Sequence, residues 1–232
     1  MKFTIPDNIP RAALITGGAR QTGMARTLTG AGFSIALQCH PGAEVEPPAG
    51  VVLLEADLSD EAQTASLLGR ASQALGAIGV LVNGASVLAR DTWDGATRAT
   101  WDMHIETNLR APFVLIQQFA RALPPQHEGV AINLLDQRLC PHLVSYTLSK
   151  AALWSLTQTM ALALAPRIRV NGIAPGGTVR GSPLQPPRDL AARPPDLGAG
   201  ADAIGRAALA ILALASMTGQ MIVPDGVPPP AA

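Results

Sequence analysis

The stretch Ala12-Ala-Leu-Ile-Thr-Gly-Gly-Ala-Arg-Gln-Thr-Gly23 decides the fold of this chain. Its first five residues are a short apolar run typical of a buried strand, and a helical stretch follows the glycines as far as about Gly30. A strand, a glycine turn and a helix in this order form a site for a dinucleotide pyrophosphate, because glycine lets the backbone approach phosphate and a helix N-terminus has free N–H groups. Gln21 departs from the G-x-G-x-x-G pattern, so a tight turn that binds no ligand is the alternative.

Short apolar runs and longer helical stretches alternate along the rest of the chain. Further strands are predicted at Phe33–Cys39, Val51–Ala56, Ile78–Val82, Gly129–Leu134, Ile168–Ile173 and Gln220–Val223, and further helices at Ser59–Leu75, Thr97–Leu123, Ser145–Ala165 and Ala201–Ser216. Ser59 is predicted to cap its helix, and prolines are predicted to end the two long helices. The alternation predicts an α/β Rossmann fold, a doubly wound parallel sheet of about seven strands with helices on both faces.

The length of 232 residues favours one domain over two. We therefore expect residues 1–232 to form a single domain around the dinucleotide site predicted at the glycine turn. Residues 181–200 are rich in Pro, Arg and Gly without periodicity, which predicts a substrate loop or lid. The proline-rich segment 227–232 is predicted to be a frayed tail.

The composition excludes several classes of function. A hydrophobic fraction of 48% excludes long-range disorder, and 17 basic against 17 acidic side chains disfavour a nucleic-acid partner. No apolar run approaches the roughly 20 residues that span a bilayer, and the first ten residues lack the apolar region of a signal peptide. Two cysteines and four scattered histidines predict neither a disulfide framework nor a metal site. The prediction is a cytoplasmic protein with a small-molecule substrate and no membrane partner.

One pair of residues stands out by its rarity. Tyr146 is the single tyrosine, and Lys150 is the only lysine besides Lys2. At positions i and i+4 of a helix the two side chains lie on one face, one turn apart. A protonated lysine stabilises a phenolate, so this spacing predicts a tyrosine with a lowered pKa that acts as a general acid.

Together with this pair, the motifs resemble the short-chain dehydrogenase/reductase family over nearly the whole chain. The matching stretches are Thr16–Gly23, Asp57-Leu58, Asn83-Gly84-Ala85-Ser86, Asn108, Tyr146-Thr-Leu-Ser-Lys150 and Pro175-Gly176. They follow one another in the order of that family, with the second Asn of its N-N-A-G turn replaced by Gly84. The resemblance is closer to pteridine reductases and alternative dihydrofolate or dihydromonapterin reductases, which carry a basic residue in the glycine turn and an N-A-S ending like that at Ser86.

The resemblance implies a nicotinamide cofactor, and the residues favour NADP(H). NAD enzymes usually place a carboxylate at the end of the second strand, whereas this strand ends Gln38-Cys39-His40. Arg20 is expected beside the 2′-phosphate, which an arginine can bind bidentately, and His40 is a further candidate. The expected cofactor-binding residues are Gly17, Arg20, Gln21, Thr22, His40, Asp57, Leu58, Asn83, Gly84, Ala85, Tyr146, Lys150, Pro175 and Gly176.

The expected catalytic residues are Tyr146, Lys150, Asn108 and Asp136. In the family that the chain resembles, the lysine holds the nicotinamide ribose, and the asparagine anchors a water that relays protons to it. Most members have a serine at the end of the fifth strand, but this strand runs into Asp136, as in the pteridine reductases. Only ten residues separate Asp136 from Tyr146, a few fewer than usual. Either the intervening loop is shortened or Asp136 does not occupy the serine position.

These observations predict an NADPH-dependent oxidoreductase that reduces a pteridine- or dihydrofolate-like C=N bond, or a small carbonyl group. Tyr146 is the expected proton donor, with Asp136 as the donor if the acceptor is a pterin nitrogen. The alternatives are a ketone or aldehyde reductase of the 3-oxoacyl type and a catalytically silent NADP(H)-binding protein. The two long helices are the surfaces on which the family forms dimers and tetramers, so a homo-oligomer is expected.

Overall fold

The computed structural model describes residues 3–175 and 201–224, with the backbone alone for Ala201 and Asp202. Its strands are β1 (Ala12–Thr16), β2 (Ser34–Cys39), β3 (Val52–Glu55), β4 (Val80–Asn83), β5 (Gly129–Leu134), β6 (Ile168–Ile173) and β7 (Met221–Ile222). They form one parallel sheet in the order β3-β2-β1-β4-β5-β6-β7. The predicted doubly wound parallel sheet is confirmed. The predicted lid, Gly176 and the tail lie outside the described residues.

Helices cover both faces of the sheet. They are α1 (Thr22–Gly30), α2 (Glu61–Leu75), α3 (Arg98–Ile105), α4 (Ala111–Ala122), α5 (Val144–Leu164) and α6 (Ala201–Ala213). Leu28 of α1 and Ile211 of α6 pack in one core cluster with the strands. Leu67 of α2, Phe119 of α4 and Ala161 of α5 pack in a second cluster on the opposite face. The strands β1, β4, β5 and β6 are buried on both faces, which explains their unbroken apolar runs.

Two details differ from the sequence prediction. The cap of α2 is Asp60, whose carboxylate accepts from the N–H groups of Ala62 and Gln63, whereas the Ser59 hydroxyl donates to Asp57. The predicted long helix from 97 to 123 is interrupted by a wider turn, Glu106–Arg110, between α3 and α4. Pro112 has no N–H to offer the carbonyl four residues earlier, so the α-helical pattern cannot continue through this point.

The topology places a crevice at the carboxyl ends of β1 and β4. The chain moves from β1 outward to β2 and β3, then crosses to β4 on the other side of β1. Ligands of open α/β sheets bind where the strand order reverses in this way. The glycine turn after β1, the segment after β4, the end of β5 and the start of α5 meet at this edge.

Candidate active site

The two turns after β1 and β4 are in close contact. Gly17 has a φ of 119°, and a Cβ at this residue would lie 2.8 Å from the Gly84 carbonyl oxygen. The Thr16 hydroxyl oxygen accepts from the N–H groups of Gly84 and Ala85 at 3.1 and 3.2 Å. A side chain at Gly17 would push these turns apart, so glycine is required here for both its backbone conformation and its size.

Gln21 and Gly84 are in direct contact, and each accounts for the size of the other. The Gln21 side chain is buried and donates through Nε2 to the Gly84 carbonyl at 3.3 Å. A Cβ at Gly84 would lie 2.8 Å from Gln21 Cδ. The two departures from the expected glycine and asparagine motifs therefore complement each other. Where one turn carries the large Gln21 side chain, the other carries Gly84, which leaves space for it.

The glycine turn leads into helix N-termini without side-chain caps. A single 3₁₀ turn, Gly18–Gln21, precedes α1, and neither Gly17 nor Gln21 makes a capping side-chain hydrogen bond. Uncapped N–H groups at a helix start favour an anion. Gly18 is buried with a φ of 56°, a left-handed conformation that favours glycine, and a Cβ here would lie 3.5 Å from Cys39 Cβ. These residues fit the pyrophosphate of a dinucleotide.

The end of β2 is organised by a glutamine instead of a carboxylate. Gln38 accepts from the Gly17 N–H at 3.0 Å and donates to the Ala56 carbonyl at 2.8 Å, which ties the glycine turn to the end of β3. His40 follows on the exposed side, with Nε2 3.9 Å from Asp57 Oδ2. Leu58, the next residue, is buried at 6% exposure.

Arg20 reaches toward the segment after β4 in this structure, and its expected contact with a 2′-phosphate stays a prediction. Its guanidinium donates to the Ser86 carbonyl at 3.1 Å, in the segment after β4. Since β2 and β4 flank β1 on opposite sides, the guanidinium is on the far side of the crevice from His40. The propensity of an arginine for phosphate could be seen in the sequence, but the direction of its side chain could not.

Tyr146, Asp136 and Arg138 form a cluster at the start of α5. The Tyr146 hydroxyl donates to Asp136 Oδ2 at 3.1 Å. Arg138 grips the same carboxylate, with Nε 2.9 Å from Oδ1 and a terminal nitrogen 2.6 Å from Oδ2. The tyrosine and the carboxylate are both less than a tenth exposed. The short loop therefore brings Asp136 to the tyrosine, and its correspondence to the serine position of the family stays a prediction.

The charges of this cluster set its protonation states. Burial raises the pKa of Asp136, but the hydrogen bonds and positive charge of Arg138 outweigh it, so the pKa of this carboxyl falls below its usual range. Burial, followed by the charge and hydrogen bond of Asp136, raises the pKa of Tyr146 above its ordinary value. Asp136 is therefore an anion and Tyr146 a neutral phenol. The sequence analysis expected Lys150 to lower the pKa of Tyr146, whereas burial and the charge of Asp136 raise it in this structure.

Lys150 lies one turn below the tyrosine, as its spacing predicts. Its Nζ donates to the Leu134 carbonyl at 3.1 Å and lies 6.0 Å from the Tyr146 ring centroid. Burial lowers the pKa of Lys150 to about 8, with the charge of Asp136 acting in the opposite direction. An amine with this pKa exchanges protons near neutral pH.

Asn108 holds the segment after β4. Its Oδ1 accepts from the Val87 N–H at 2.9 Å, and its Nδ2 donates to the Val87 carbonyl at 3.0 Å and to Ser149 Oγ at 3.2 Å. The wider turn between α3 and α4 contains this residue. The hydrogen bonds of its side chain are thus all used to hold the backbone at Val87 and the Ser149 hydroxyl. A water that relays protons would therefore bind to the main chain of Asn108.

A model of the family described as "short chain dehydrogenase" matches residues 11–187. The chain belongs to the short-chain dehydrogenase family. The expected resemblance is confirmed.

The relatives span several activities. Among solved structures, the chain is similar to FolM alternative dihydrofolate reductase 1 from Brucella canis, complexed with NADP, with 34% identity, 95% of each chain covered and a TM-score of 0.81. The protein of that name from Brucella suis, also with NADP, is 35% identical over 93% of each chain, with a TM-score of 0.79. Galactitol 2-dehydrogenase of Agrobacterium fabrum is 32% identical over 72% of this chain and 70% of its own length.

As a short-chain dehydrogenase, the chain keeps most of the predicted residues at one crevice. Asn83 is different: it is 3% exposed, and its Nδ2 donates to Asn133 Oδ1, while its buried Oδ1 has no hydrogen-bond partner among the described residues. Thr22 begins α1 and donates to the Ala19 carbonyl, and Pro175 is the last residue described before the predicted lid.

No three His, Cys, Asp or Glu side chains are grouped to hold a metal ion within the described ranges. No helix in these ranges is long and apolar enough to cross a membrane.

Sequence reasoning did not assign three residues of this region. Arg138 and His104 carried no motif, because their roles depend on contacts that the fold creates. Ser86 was named only as the end of an N-A-S motif, and its side chain lies within hydrogen-bonding reach of the Tyr146 hydroxyl. A basic residue two positions after Asp136 was the one signal available for Arg138.

Proposed function

We propose that the chain is an NADPH-dependent reductase of a C=N bond in a pteridine- or dihydrofolate-like ring, with Tyr146 as the proton donor. The observation that carries this proposal is the contact between Tyr146 and an ionised Asp136 held by Arg138. We infer that this carboxylate takes the place of the serine that most members of the family carry at the end of the fifth strand.

The charge of Asp136 favours one substrate class. Reduction of a ketone builds negative charge on the carbonyl oxygen, which a hydroxyl donor stabilises and a carboxylate repels. A pteridine ring presents amino and ring N–H groups along one edge. Both Asp136 oxygens already accept from Arg138, so a ring N–H would replace the Tyr146 bond at Oδ2, which frees the phenol proton for transfer. A ring with N–H donors beside its reducible bond therefore suits this cluster better than a simple ketone does.

Tyr146 is the residue placed to supply the proton. Its raised pKa keeps it protonated at neutral pH, and its hydroxyl lies beside Asp136 and Ser86. Asp136 is ionised and has no proton to give, so the alternative in which it protonates a pterin nitrogen is not part of the proposal. Lys150, with a pKa of about 8, is placed to return a proton to the tyrosine after turnover.

The crevice suits NADPH as the partner of this chemistry. Gly17, Gly18 and the uncapped start of α1 would hold the pyrophosphate, and Lys150 would hold the nicotinamide ribose. When bound, NADPH supplies the hydride that joins the carbon of the C=N bond. The Brucella proteins solved with NADP support this assignment, as does the lack of a carboxylate at the end of β2.

A homodimer or homotetramer and a cytoplasmic location stay predictions from the sequence. Leu148 and Leu162 of α5 are 47% and 84% exposed, and an interface along this helix would cover them. Light scattering coupled to size-exclusion chromatography measures the assembly directly.

The test is a substrate panel followed through the loss of NADPH absorbance. Dihydrobiopterin and dihydrofolate represent the proposed class, and a 3-oxoacyl thioester and simple ketones represent the carbonyl class. Galactitol with NADP⁺ tests the sugar-alcohol class suggested by the Agrobacterium relative. Turnover of the dihydropteridines alone supports the proposal, turnover of carbonyls alone overturns it, and NADPH binding without turnover of any compound indicates a silent binding protein.

A further inference from the structure

A buried chain of polar side chains lies beside Tyr146 and takes no part in the proposed chemistry. His104 of α3 and Ser145 of α5 are fully buried, and Asp91, in the segment after β4, is 2% exposed. The His104 ring meets the Tyr146 ring edge to face, with centroids 5.9 Å apart and an interplanar angle of 72°. Burying a histidine costs free energy unless its ring nitrogens are hydrogen-bonded. The partners of the two nitrogens therefore indicate the role of the residue.

The donor and acceptor of each hydrogen bond in this series of buried side chains can be assigned. The Ala89 N–H donates to His104 Nε2 at 2.9 Å, so that nitrogen carries no proton. The neutral imidazole therefore has its proton on Nδ1, which donates to Ser145 Oγ at 2.6 Å. The Ser145 hydroxyl in turn donates to the Asp91 carboxylate, and its backbone N–H donates to the same group. Burial lowers the pKa of His104, with the charge of Asp91 opposing it, in agreement with a neutral ring.

This order of donors excludes a nucleophilic triad. In such a triad the serine donates to the histidine, whereas here Ser145 accepts from His104 and donates to Asp91. Ser145 is also fully buried, so no substrate reaches its oxygen.

The chain of bonds joins two parts of the site. Ala89 and Asp91 belong to the segment that starts at Ser86, and Ser145 is the residue before Tyr146. Asp91 strengthens the connection through its backbone, since its N–H donates to the His142 carbonyl and its carbonyl accepts from the Val144 N–H. The segment after β4 is thereby fixed against the first turn of α5 from both sides of His104.

We propose that His104, acting through Ser145 and Ala89, is a positioning residue that fixes the orientation of Tyr146 relative to the segment 86–91. The inference rests on the proposed role of Tyr146 as proton donor. His104 itself touches neither substrate nor cofactor. Its effect is on the geometry of proton transfer, where a displacement of about 1 Å can cost up to about a hundredfold in rate.

Three variants each remove one of the hydrogen bonds that His104 makes with Ala89 and Ser145. His104→Asn keeps a donor near the Nδ1 position for Ser145 and loses the bond to Ala89, whereas His104→Gln keeps an acceptor for Ala89 and loses the bond to Ser145. Ser145→Ala removes one hydroxyl and is the variant with the least risk to folding. His127→Asn, at a histidine remote from the site, is the matched control.

The readouts are kcat with the best substrate of the panel, the NADPH dissociation constant, and the nitrogen NMR shifts of labelled histidine. We expect an Nδ1–H tautomer assigned to His104 in the wild type, a fall in kcat of about ten- to a hundredfold in all three variants, and an NADPH affinity within about twofold of wild type. The control should match the wild type. An Nε2–H tautomer, or full kcat in Ser145→Ala, would overturn the inference, as would a loss of NADPH binding equal to the loss of kcat. Failure of the proposed function appears separately, as a wild type that reduces no dihydropteridine, and the NMR result does not depend on turnover.

Discussion

The Tyr146 hydroxyl donates a hydrogen bond to the Asp136 carboxylate across 3.1 Å, although the two residues are only ten positions apart in the sequence. The loop between them is short enough to bring the end of β5 back onto the first turn of α5. The result is a phenol held beside an anion, and the predictions below depend on that pairing.

Replacement of Tyr146 by phenylalanine should preserve NADPH binding and remove most of the turnover. The ring keeps its packing against His104, while the proton donor is lost, and general acid catalysis typically contributes about 10²–10⁴-fold. Steady-state kinetics and calorimetry on the same preparation measure both effects. A Phe variant with near-normal kcat would mean that a water or another group supplies the proton.

Arg138→Gln should make the activity sensitive to mild acid. Without the guanidinium, the burial of Asp136 is no longer outweighed, so the pKa of this carboxyl rises. As the pH falls through the raised pKa, Asp136 is protonated and stops accepting from the substrate, and kcat/KM for a dihydropteridine falls. The wild type, with its lowered Asp136 pKa, should lose activity from this group only at lower pH. Arg138→Lys keeps the charge and should lie between the two, whereas identical profiles for wild type and Gln would show that Arg138 does not control the carboxyl.

The preference for NADPH over NADH should depend on His40 more than on Arg20. Arg20 lies on the Ser86 side of the crevice, and His40 follows β2, where the 2′ position is expected. His40→Ala should therefore weaken NADPH binding by about tenfold and leave NADH binding unchanged, as expected for the loss of one charge-assisted contact. Arg20→Ala should weaken both nucleotides alike. Calorimetric dissociation constants test this, and tighter binding of NADH by the wild type would contradict the cofactor assignment.

Gln21 and Gly84 should be coupled in stability. Gly84→Ala places a Cβ 2.7 Å from the Thr16 carbonyl oxygen and 2.8 Å from Gln21 Cδ, so we expect a destabilisation of about 1–3 kcal/mol. Gln21→Gly in the same chain should recover part of it, because one of the two close contacts is relieved. Gly69→Ala is the control, since nothing lies within 4 Å of its Cβ position on α2. Thermal melting of Gly84→Ala, Gln21→Gly, the double variant and the control measures the coupling, and additive effects would show that the two turns are independent.

The sequence was sufficient for the features that local pattern determines. Alternating apolar and helical stretches predicted the parallel sheet, and the i, i+4 spacing placed Tyr146 and Lys150 on one helical face. It was not sufficient where the position of a side chain depends on a contact between distant segments. The direction of the Arg20 side chain and the hold of Arg138 on Asp136 both depend on how the loops meet at the edge of the sheet.

The same limit applies to protonation. From the sequence, Lys150 was expected to lower the pKa of Tyr146, because it was the one charge with a predictable distance. The structure adds an anion at hydrogen-bonding distance, and burial and that anion together raise the pKa instead. The interruption of the helix at Asn108 could have been expected from Pro112, whose missing N–H is visible in the sequence.

The most direct test of the proposed function compares Asp136→Asn and Asp136→Ser on both substrate classes. We predict that the Asn variant loses reduction of dihydropteridines, because the neutral amide lacks the negative charge that strengthens bonds from the substrate's N–H groups. We also predict that the Ser variant gains turnover of a ketone, because a hydroxyl donor then replaces the repelling carboxylate. Equal and small effects of both variants on every substrate would contradict the account, since Asp136 would then lie outside the reacting site.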